Sequence, residues 1–463
     1  MTSTVRVLAP ARARSGVRAH SVERVGFVLI ALAFALLTEH VYVDVLVGAG
    51  VFEYMGLTAN AVSDPVRLCF IALAVLPSIW LPLHLRRPSD IVQLFLFYAV
   101  HIQAVMLVPR VSSAPRSEQL IFCIAAALAL LALDVRYLLP RLRVGTPRLE
   151  PRVFWACILA WCVLAFVTFQ RSGYLTWQGP DLADVYLRRA ELLARRPELG
   201  RVFVYAAIWS GSVFAPLLTI AGLHRKRALL VIAGISLAWA SYVVSANRAN
   251  YMAILPVIAG YYLLRRTKGR FLALSMGAAF IVLTLLLLGL DAALGRVTGV
   301  ETPPVLTFQI FFRTFANNGF LSAIYLDVFR DLPPGWYADS FLRAFSGPRL
   351  WAPIPLIAGS SFSDVGGTWA NANLWADAYA NLGYLGVAMS AAFTAVVLWV
   401  YDGIAAEKSL VFASALLIIP ATVLANTATQ TAMTSNGLLM LFIVLAMWPY
   451  VERGELAGAG RFA

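Results

Sequence analysis

Charged residues are scarce in this chain of 463 residues: they make up 13% of the sequence, while 60% of the residues are hydrophobic. A soluble globular domain carries about 25% charged and about 45–50% apolar residues. The shortage of charge therefore argues against a soluble protein of any size.

Cysteine and the common catalytic motifs are also largely missing. The four cysteines, Cys69, Cys123, Cys157 and Cys162, all lie within apolar runs, and none has a partner at metal-ligand spacing. The sequence contains no phosphate-binding glycine-rich loop with lysine, no HExxH and no GxSxG. These absences argue against a disulfide framework, a zinc site, an ATPase and an α/β-hydrolase.

Long apolar runs dominate what is present. A hydrocarbon core of about 30 Å requires a helix of about 20 apolar residues. Twelve runs meet or approach this length, which predicts an all-α, polytopic transmembrane helical bundle of about 12 spans. The expected spans are residues 25–47, 66–84, 91–108, 120–139, 153–169, 202–223, 228–245, 249–264, 271–290, 382–400, 410–425 and 437–451.

The distribution of basic residues predicts the topology. The net charge is +13, but most Arg and Lys lie in short loops between apolar runs, which indicates membrane orientation rather than nucleic-acid binding. Both termini are expected in the cytoplasm, with tails at 1–24 and 452–463. The transmembrane regions 25–290 and 373–451 then contain spans one to nine and ten to twelve. Two long extracytoplasmic loops follow from this topology, at 171–201 and 291–372.

Both long loops are predicted to be partly helical. Residues 181–196 combine apolar positions at helical spacing with four arginines, as an amphipathic interfacial helix does. Residues 306–330 predict one or two further helices, followed by a turn at Pro333, Pro334 and Gly335. Because the large loop is rich in Phe, Leu and Trp, we expect it to pack on the bundle or to dip into the membrane interface.

Arginine on the outer side gives the first set of candidate site residues. Arg248 lies in SANRAN, between spans seven and eight, and Arg313, Arg343 and Arg349 lie in the large loop. Outward arginines oppose the charge bias of the other loops, and a guanidinium group binds phosphate bidentately. A lipid-linked pyrophosphate would need such groups. The alternative is that these arginines anchor the protein at lipid headgroups.

A polar stretch before the tenth expected span gives the second set. ANANLWADAYANLGYLGV, at 370–387, contains Asn371, Asn373, Asp377 and Tyr379. Amide and aromatic groups suit sugar hydroxyls, and the carboxylate of Asp377 is a candidate general base. The alternative is a helix N-terminus, where Asn and Asp cap free N–H groups. The two roles are compatible.

These motifs and the layout resemble the O-antigen polymerase family, the Wzy-type polymerases of oligosaccharide repeat units. The resemblance rests on the number of spans, the two long outer loops and the stretches SANRANYMAIL, NLWADAYANLGYLGV and TAMTSNGLLM. It covers the whole chain by topology and roughly its second half by motif. Arg189 and Gly200 also match an Arg-ten-residues-Gly pattern of such loops.

The resemblance implies a glycosyltransferase of the bacterial inner membrane. Its donor would be a glycan on undecaprenyl pyrophosphate and its acceptor a second lipid-linked repeat unit, with no cofactor and no metal. Membrane lipid, a chain-length regulator and a flippase would be partners, and nucleic acid would not. Arg248 and Arg313 match the family's outward arginines and join Asp377 as catalytic candidates. The substrate-binding candidates are Asn247, Asn250, Arg343, Arg349, Asn371, Asn373, Tyr379 and Arg189.

Two alternatives stay open. The related ligase family, which joins O-antigen to lipid A core, shares the layout but is expected to use a histidine in the large outer loop, and residues 291–372 contain none. A flippase or transporter for a lipid-linked glycan would need a polar path through the spans. The middle of the expected spans is nearly free of charge, which favours the polymerase.

Overall fold

The structure is a computed structural model that describes residues 11–140, 142, 148–176, 179–180, 185–298, 303–338, 340, 352–363 and 368–450. These residues form helices and connecting turns. The helices, in chain order, are α1 (Ala11–His40, continued by the π-helix Val41–Val47), α2 (Asp64–Val75), α3 (Asp90–Val111), α4 (Arg116–Leu138), α5 (Pro151–Ser172), α6 (Val185–Ala194), α7 (Gly200–His224), α8 (Ala228–Ser245), α9 (Arg248–Met252), α10 (Ile254–Thr267), α11 (Leu272–Thr298), α12 (the π-helix Thr307–Ala316, continued by Asn317–Phe329), α13 (Ile354–Ser360), α14 (Leu374–Ile404), α15 (Leu410–Leu424), α16 (Thr429–Thr434) and α17 (Leu438–Ala446).

Eight of these helices are long and apolar enough to cross a membrane, judged by length and composition. They are α1, α3, α4, α5, α7, α8, α11 and α14. The expected all-α fold is thereby confirmed for the described residues, and the eight candidate membrane-spanning helices support the expected membrane protein. The expected count of twelve spans is not confirmed, because the other four segments are short or interrupted.

Local breaks account for the four shorter segments. α2 has 12 residues and gives way to a 3-10 turn that contains Pro77, which has no backbone N–H to continue a helix. The expected span at 249–264 divides at Ala253 into α9 and α10. α15 is divided at Leu417 into two pieces of seven residues, and α17 has only nine residues.

Loops rich in basic residues meet at one end of the bundle, which we call the basic end. The backbone N–H of Leu85 donates to the carbonyl of Gly269 at 2.8 Å. Ser89 donates to the carboxylate of Asp402 through both its backbone N–H, at 3.0 Å, and its hydroxyl, at 2.7 Å. Loops that the charge bias predicts to share one side of the membrane are therefore adjacent in the fold.

The helix α3 forms the centre of the bundle. Its apolar stretch is completely buried by protein, whereas α5, α8 and α11 bury a third of theirs or less. Gln93, His101 and Gln103 are among its fully buried residues. In a membrane this helix would contact its neighbours rather than lipid.

Part of the expected outer loop enters the bundle as α12. Phe308 stacks on an aromatic ring of the loop after α1, with ring centres 4.1 Å apart. Farther along, the Asn318 amide donates to the carbonyl of Ala99, midway along α3, at 2.8 Å. Asp327 then accepts hydrogen bonds beyond the end of α3, including one from Ser113 N–H at 2.8 Å. α12 thus reaches the middle of the bundle and returns toward the end opposite the basic end, as its apolar sequence favours.

The helix α14 folds back on itself. Leu382 and Gly383 have non-helical backbone angles, and φ of Gly383 is 59°. A Cβ atom on Gly386 would lie 2.1 Å from the carbonyl oxygen of Ala378. Residues eight apart in a continuous α-helix are separated by about 12 Å. Residues 374–381, which we call the short limb, therefore lie beside the rest of α14.

Candidate functional site

The short limb of α14 carries Asp377, which is half-buried. The amide of Asn381 donates to the backbone carbonyl of Asp377 at 2.8 Å and lies 3.3 Å from its carboxylate. Burial raises the pKa of the Tyr337 phenol, and the nearby negative charge of Asp377 raises that pKa further. The phenol therefore stays protonated near neutral pH and is able to donate a hydrogen bond.

A turn of the large loop closes the end of the short limb. The backbone N–H groups of Gly335 and Trp336 donate to the carbonyls of Ala380, at 3.1 Å, and Asn381, at 3.0 Å. The N–H of Tyr337 donates to the Asn381 side chain at 2.7 Å. Trp336 and Tyr337 both have positive φ, 51° and 55°, which is costly for large side chains. These hydrogen bonds hold the predicted turn in place and fix the position of Asp377.

Asn373 caps the short limb. Its side-chain oxygen accepts from two backbone N–H groups of the first turn, both at 3.1 Å, and its amide donates to Ser322 on α12 at 2.9 Å. Asn373 therefore has the helix-capping role that the sequence analysis gave as the alternative to sugar binding. It is also 1% exposed. Asn371 is exposed. Tyr379 is buried against Phe122, edge to face at 5.5 Å.

Hydrogen bonds connect the turn that contains Arg248 to α7 and α8. Asn247 caps α9 through its side-chain oxygen, which accepts from a backbone N–H at 3.3 Å. Asn250 donates to the hydroxyl of Ser241 at 2.8 Å, and that hydroxyl donates to the carbonyl of Ala207 on α7 at 2.7 Å. Asn247 and Asn250 thereby place Arg248, which is half-buried. Their contact with a substrate stays a prediction.

The helix α6 forms within the expected amphipathic segment and packs beside the turn. Arg188 donates to the carbonyl of Val243, in the last turn of α8, at 3.2 Å. The guanidinium groups of Arg188 and Arg195 lie 5.5 and 5.4 Å from the centre of the Tyr174 ring. Such cation–π contacts position the guanidinium while leaving its charge in place. The packing therefore brings Arg188 to the same end of α8 as Arg248.

Arg313 lies on the exposed side of α12. Its guanidinium is 5.7 Å from the ring centre of Phe308, five residues earlier, which is the spacing of a π-helical turn. The three catalytic candidates are thus held by three different elements, α9, α12 and α14. As catalytic candidates for one reaction they are expected to converge on one cavity, and that expectation stays a prediction. Arg343, Arg349 and the side chain of Arg189 lie outside the described residues.

A buried carboxylate joins two further outward arginines. Glu39, near the end of the α-helical part of α1, accepts from Arg67 at 2.8 Å and from Arg110 at 3.0 Å. Glu39 is 5% exposed, whereas the side chain of Arg67 is 42% exposed, so the carboxylate is shielded from water but its pair with Arg67 is not. Asp64 and Asp44 also lie close enough for their charge to act on Arg67, so carboxylates balance the two arginines at the end opposite the basic end. The sequence shows these arginines but not their shared partner, which lies 28 and 71 residues away.

A cavity that the sequence analysis did not predict lies beside α7. It has a volume of about 320 Å³ and is lined by Arg201, Val204, Tyr205, Ile208 and Ser435. The first four share one face of α7 by helical spacing. Ser435 comes from the turn between α16 and α17, within the stretch TAMTSNGLLM. The sequence analysis singled out that stretch but did not connect it with α7, because Ser435 is more than 200 residues from Arg201 in the chain.

Comparisons with models of protein families, with curated proteins and with solved structures find no match for this chain. The resemblance in layout and motifs to the O-antigen polymerases therefore remains a hypothesis. The fold places each of the following residues on a defined element. Asp377 lies on the short limb of α14, and Arg248 lies on the turn after α8 with Arg188 beside it. Arg201 lines the cavity beside α7.

Proposed function

We propose that this chain is a membrane glycosyltransferase that polymerises oligosaccharide repeat units carried on undecaprenyl pyrophosphate. The observation that carries the proposal is the contact of Arg188 with Val243, which puts Arg188 and Arg248 at one end of α8. That end is opposite the basic end, because α8 begins next to Arg227. Arginine gathered away from the basic loops suits a pyrophosphate held at the membrane surface.

In the proposed reaction a hydroxyl group of the acceptor repeat unit attacks the anomeric carbon of the donor glycan. Asp377 accepts the hydroxyl proton as the new glycosidic bond forms. The bond from the anomeric carbon to the pyrophosphate oxygen breaks, and undecaprenyl pyrophosphate leaves with the electron pair. Arg248 and Arg313 stabilise the charge that develops on this leaving group.

The proposal includes an orientation and partners. The basic end, with both termini, faces the cytoplasm of a bacterium. The turn that carries Arg248 and the short limb that carries Asp377 face the outside of the inner membrane. A flippase delivers the lipid-linked repeat units to that side. A chain-length regulator acts with the polymerase, and membrane lipid surrounds the bundle.

A flippase or transporter is the second candidate function, and one observation favours it. α12 and the short limb of α14 both enter the bundle and meet there, through the bond from Asn373 to Ser322. Interrupted helices that meet inside a bundle are typical of transporters. A ligase with the same layout is a third candidate, although residues 291–372 contain no histidine.

Deletion of the gene in its host separates the three candidates. The polymerase proposal predicts surface glycans of one repeat unit and lipid-linked single units on the outer leaflet. Complementation with the wild-type gene should restore long chains. Long chains that accumulate on the lipid carrier without reaching their final acceptor would instead identify a ligase. Repeat units confined to the inner leaflet would identify a flippase.

A further inference from the structure

The cavity beside α7 lies near the end of the bundle opposite the basic end. Arg201 is the second residue of α7, and that helix ends at His224, next to the basic loop at 225–227. The lining positions from Arg201 to Ile208 span about 10 Å along the helix. The cavity therefore runs from the polar end of α7 toward the apolar middle of the bundle.

The lining of the cavity is polar at one end and apolar at the other. Arg201 contributes a permanent positive charge, and Tyr205 and Ser435 contribute hydroxyl groups. Val204 and Ile208 contribute branched aliphatic surface. Arg201 is exposed, and within the described part of the chain it forms no ion pair. Positive charge beside an apolar channel is complementary to a lipid with an anionic headgroup.

The surroundings of the cavity suggest that it opens sideways into the membrane. On α7, Val202 is 59% exposed, and on α17 Leu439 and Ile443 are 47% and 44% exposed. In a membrane protein such exposed aliphatic side chains face lipid. A ligand would therefore enter from the bilayer, between α7 and α17, rather than from water.

We infer that this cavity binds a polyisoprenyl phosphate, with the phosphate at Arg201 and the chain along Val204 and Ile208. A volume of about 320 Å³ is at the lower end of the range for ligand pockets, about 300–1,000 Å³. It is large enough for a phosphate headgroup and a short segment of one chain, and the rest of the chain would extend into the bilayer. The inference rests on the proposed function for the choice of lipid and adds the place where that lipid is held.

Binding of defined lipids to the purified full-length chain tests this inference. The probes are undecaprenyl phosphate, undecaprenol, which lacks the phosphate, and phosphatidylglycerol, each measured by native mass spectrometry in detergent. Undecaprenyl phosphate should bind about ten- to hundredfold more tightly than undecaprenol, because a charged hydrogen bond contributes about 1.5–3 kcal/mol. Arg201→Gln should lower its affinity to that of undecaprenol.

Two tryptophan variants distinguish the cavity from exposed aliphatic positions elsewhere in the bundle. Ile208→Trp fills the cavity and should weaken binding of both isoprenoids, whereas Leu229→Trp, at an exposed position at the basic end of α8, should change neither. The inference is overturned by equal binding of undecaprenyl phosphate and undecaprenol, by wild-type binding in Arg201→Gln, or by equally tight binding of phosphatidylglycerol. A chain that binds as predicted but joins no repeat units keeps this site and loses the proposed function.

Discussion

Ser390 donates a hydrogen bond to the carbonyl oxygen of Leu374, sixteen residues earlier, at 3.3 Å. In a continuous α-helix those residues would be about 24 Å apart. The bond therefore confirms that α14 is a hairpin whose short limb lies inside the bundle. Since Asp377 is on that limb, the hairpin decides where the proposed general base is held.

The hairpin depends on a close approach that only glycine permits. Gly386→Ala should lower the free energy of unfolding by about 1–3 kcal/mol, because its Cβ would collide with the Ala378 carbonyl. Gly289→Ala is the matched control, since nothing lies within 4 Å of a Cβ at that position of α11. Thermal denaturation of the purified variants measures both. Equal midpoints for the two variants would contradict the hairpin.

The two ends of the bundle should lie on opposite sides of the membrane. In a variant without the native cysteines, Asp331→Cys should react with a membrane-impermeant maleimide in intact cells. Arg227→Cys should react only after the cells are opened. Both side chains are exposed, so reactivity reports the side of the membrane and not burial. Labelling in the reverse order would show that the basic end faces outward.

The geometry of guanidinium, and not only its charge, should matter at the pyrophosphate. Arg248→Lys and Arg313→Lys should each slow polymerisation about ten- to hundredfold, because lysine cannot form the bidentate contact, worth about 1.5–3 kcal/mol. Arg265→Lys, an exposed position at the basic end, is the control. Chain length is compared at matched amounts of membrane protein. Normal chains from both variants would leave the headgroup-anchor interpretation standing.

A general base and a helix cap respond differently to substitution at Asp377. Asp377→Asn removes the basic carboxylate and should abolish long chains, whereas Asp377→Glu should retain part of the activity. Asp331→Asn is the control, since that carboxylate is highly exposed. Mild effects of both Asp377 variants, in protein that still accumulates in the membrane, would assign Asp377 a capping role only.

Local sequence patterns predicted the local features of this fold. Apolar runs predicted the membrane helices, amphipathic spacing predicted α6, and Pro333, Pro334 and Gly335 predicted the turn that closes the short limb. The structure also shows that Asn373 caps a helix, which was one of the two roles predicted for it. Each of these features is determined by a few consecutive residues.

Features that depend on distant contacts were not predictable from one sequence. The sequence from Leu382 onward is apolar, so it resembles the start of a straight span, and the reversal depends on packing against Ala378. The composition of α12 predicted that it would pack on the bundle, but not that Asn318 would reach α3. The cavity at Arg201 requires α7 to meet a turn more than 200 residues later.

Reconstitution of the purified chain tests the central claim most directly. Vesicles would contain this protein, a synthetic repeat unit on undecaprenyl pyrophosphate, and no other enzyme, nucleotide sugar or ATP. The measurement is the size distribution of the lipid-linked glycans by mass spectrometry. The account predicts a ladder of two, three and more repeat units, with one undecaprenyl pyrophosphate released for each bond formed. Repeat units that stay single in vesicles containing folded protein would contradict it.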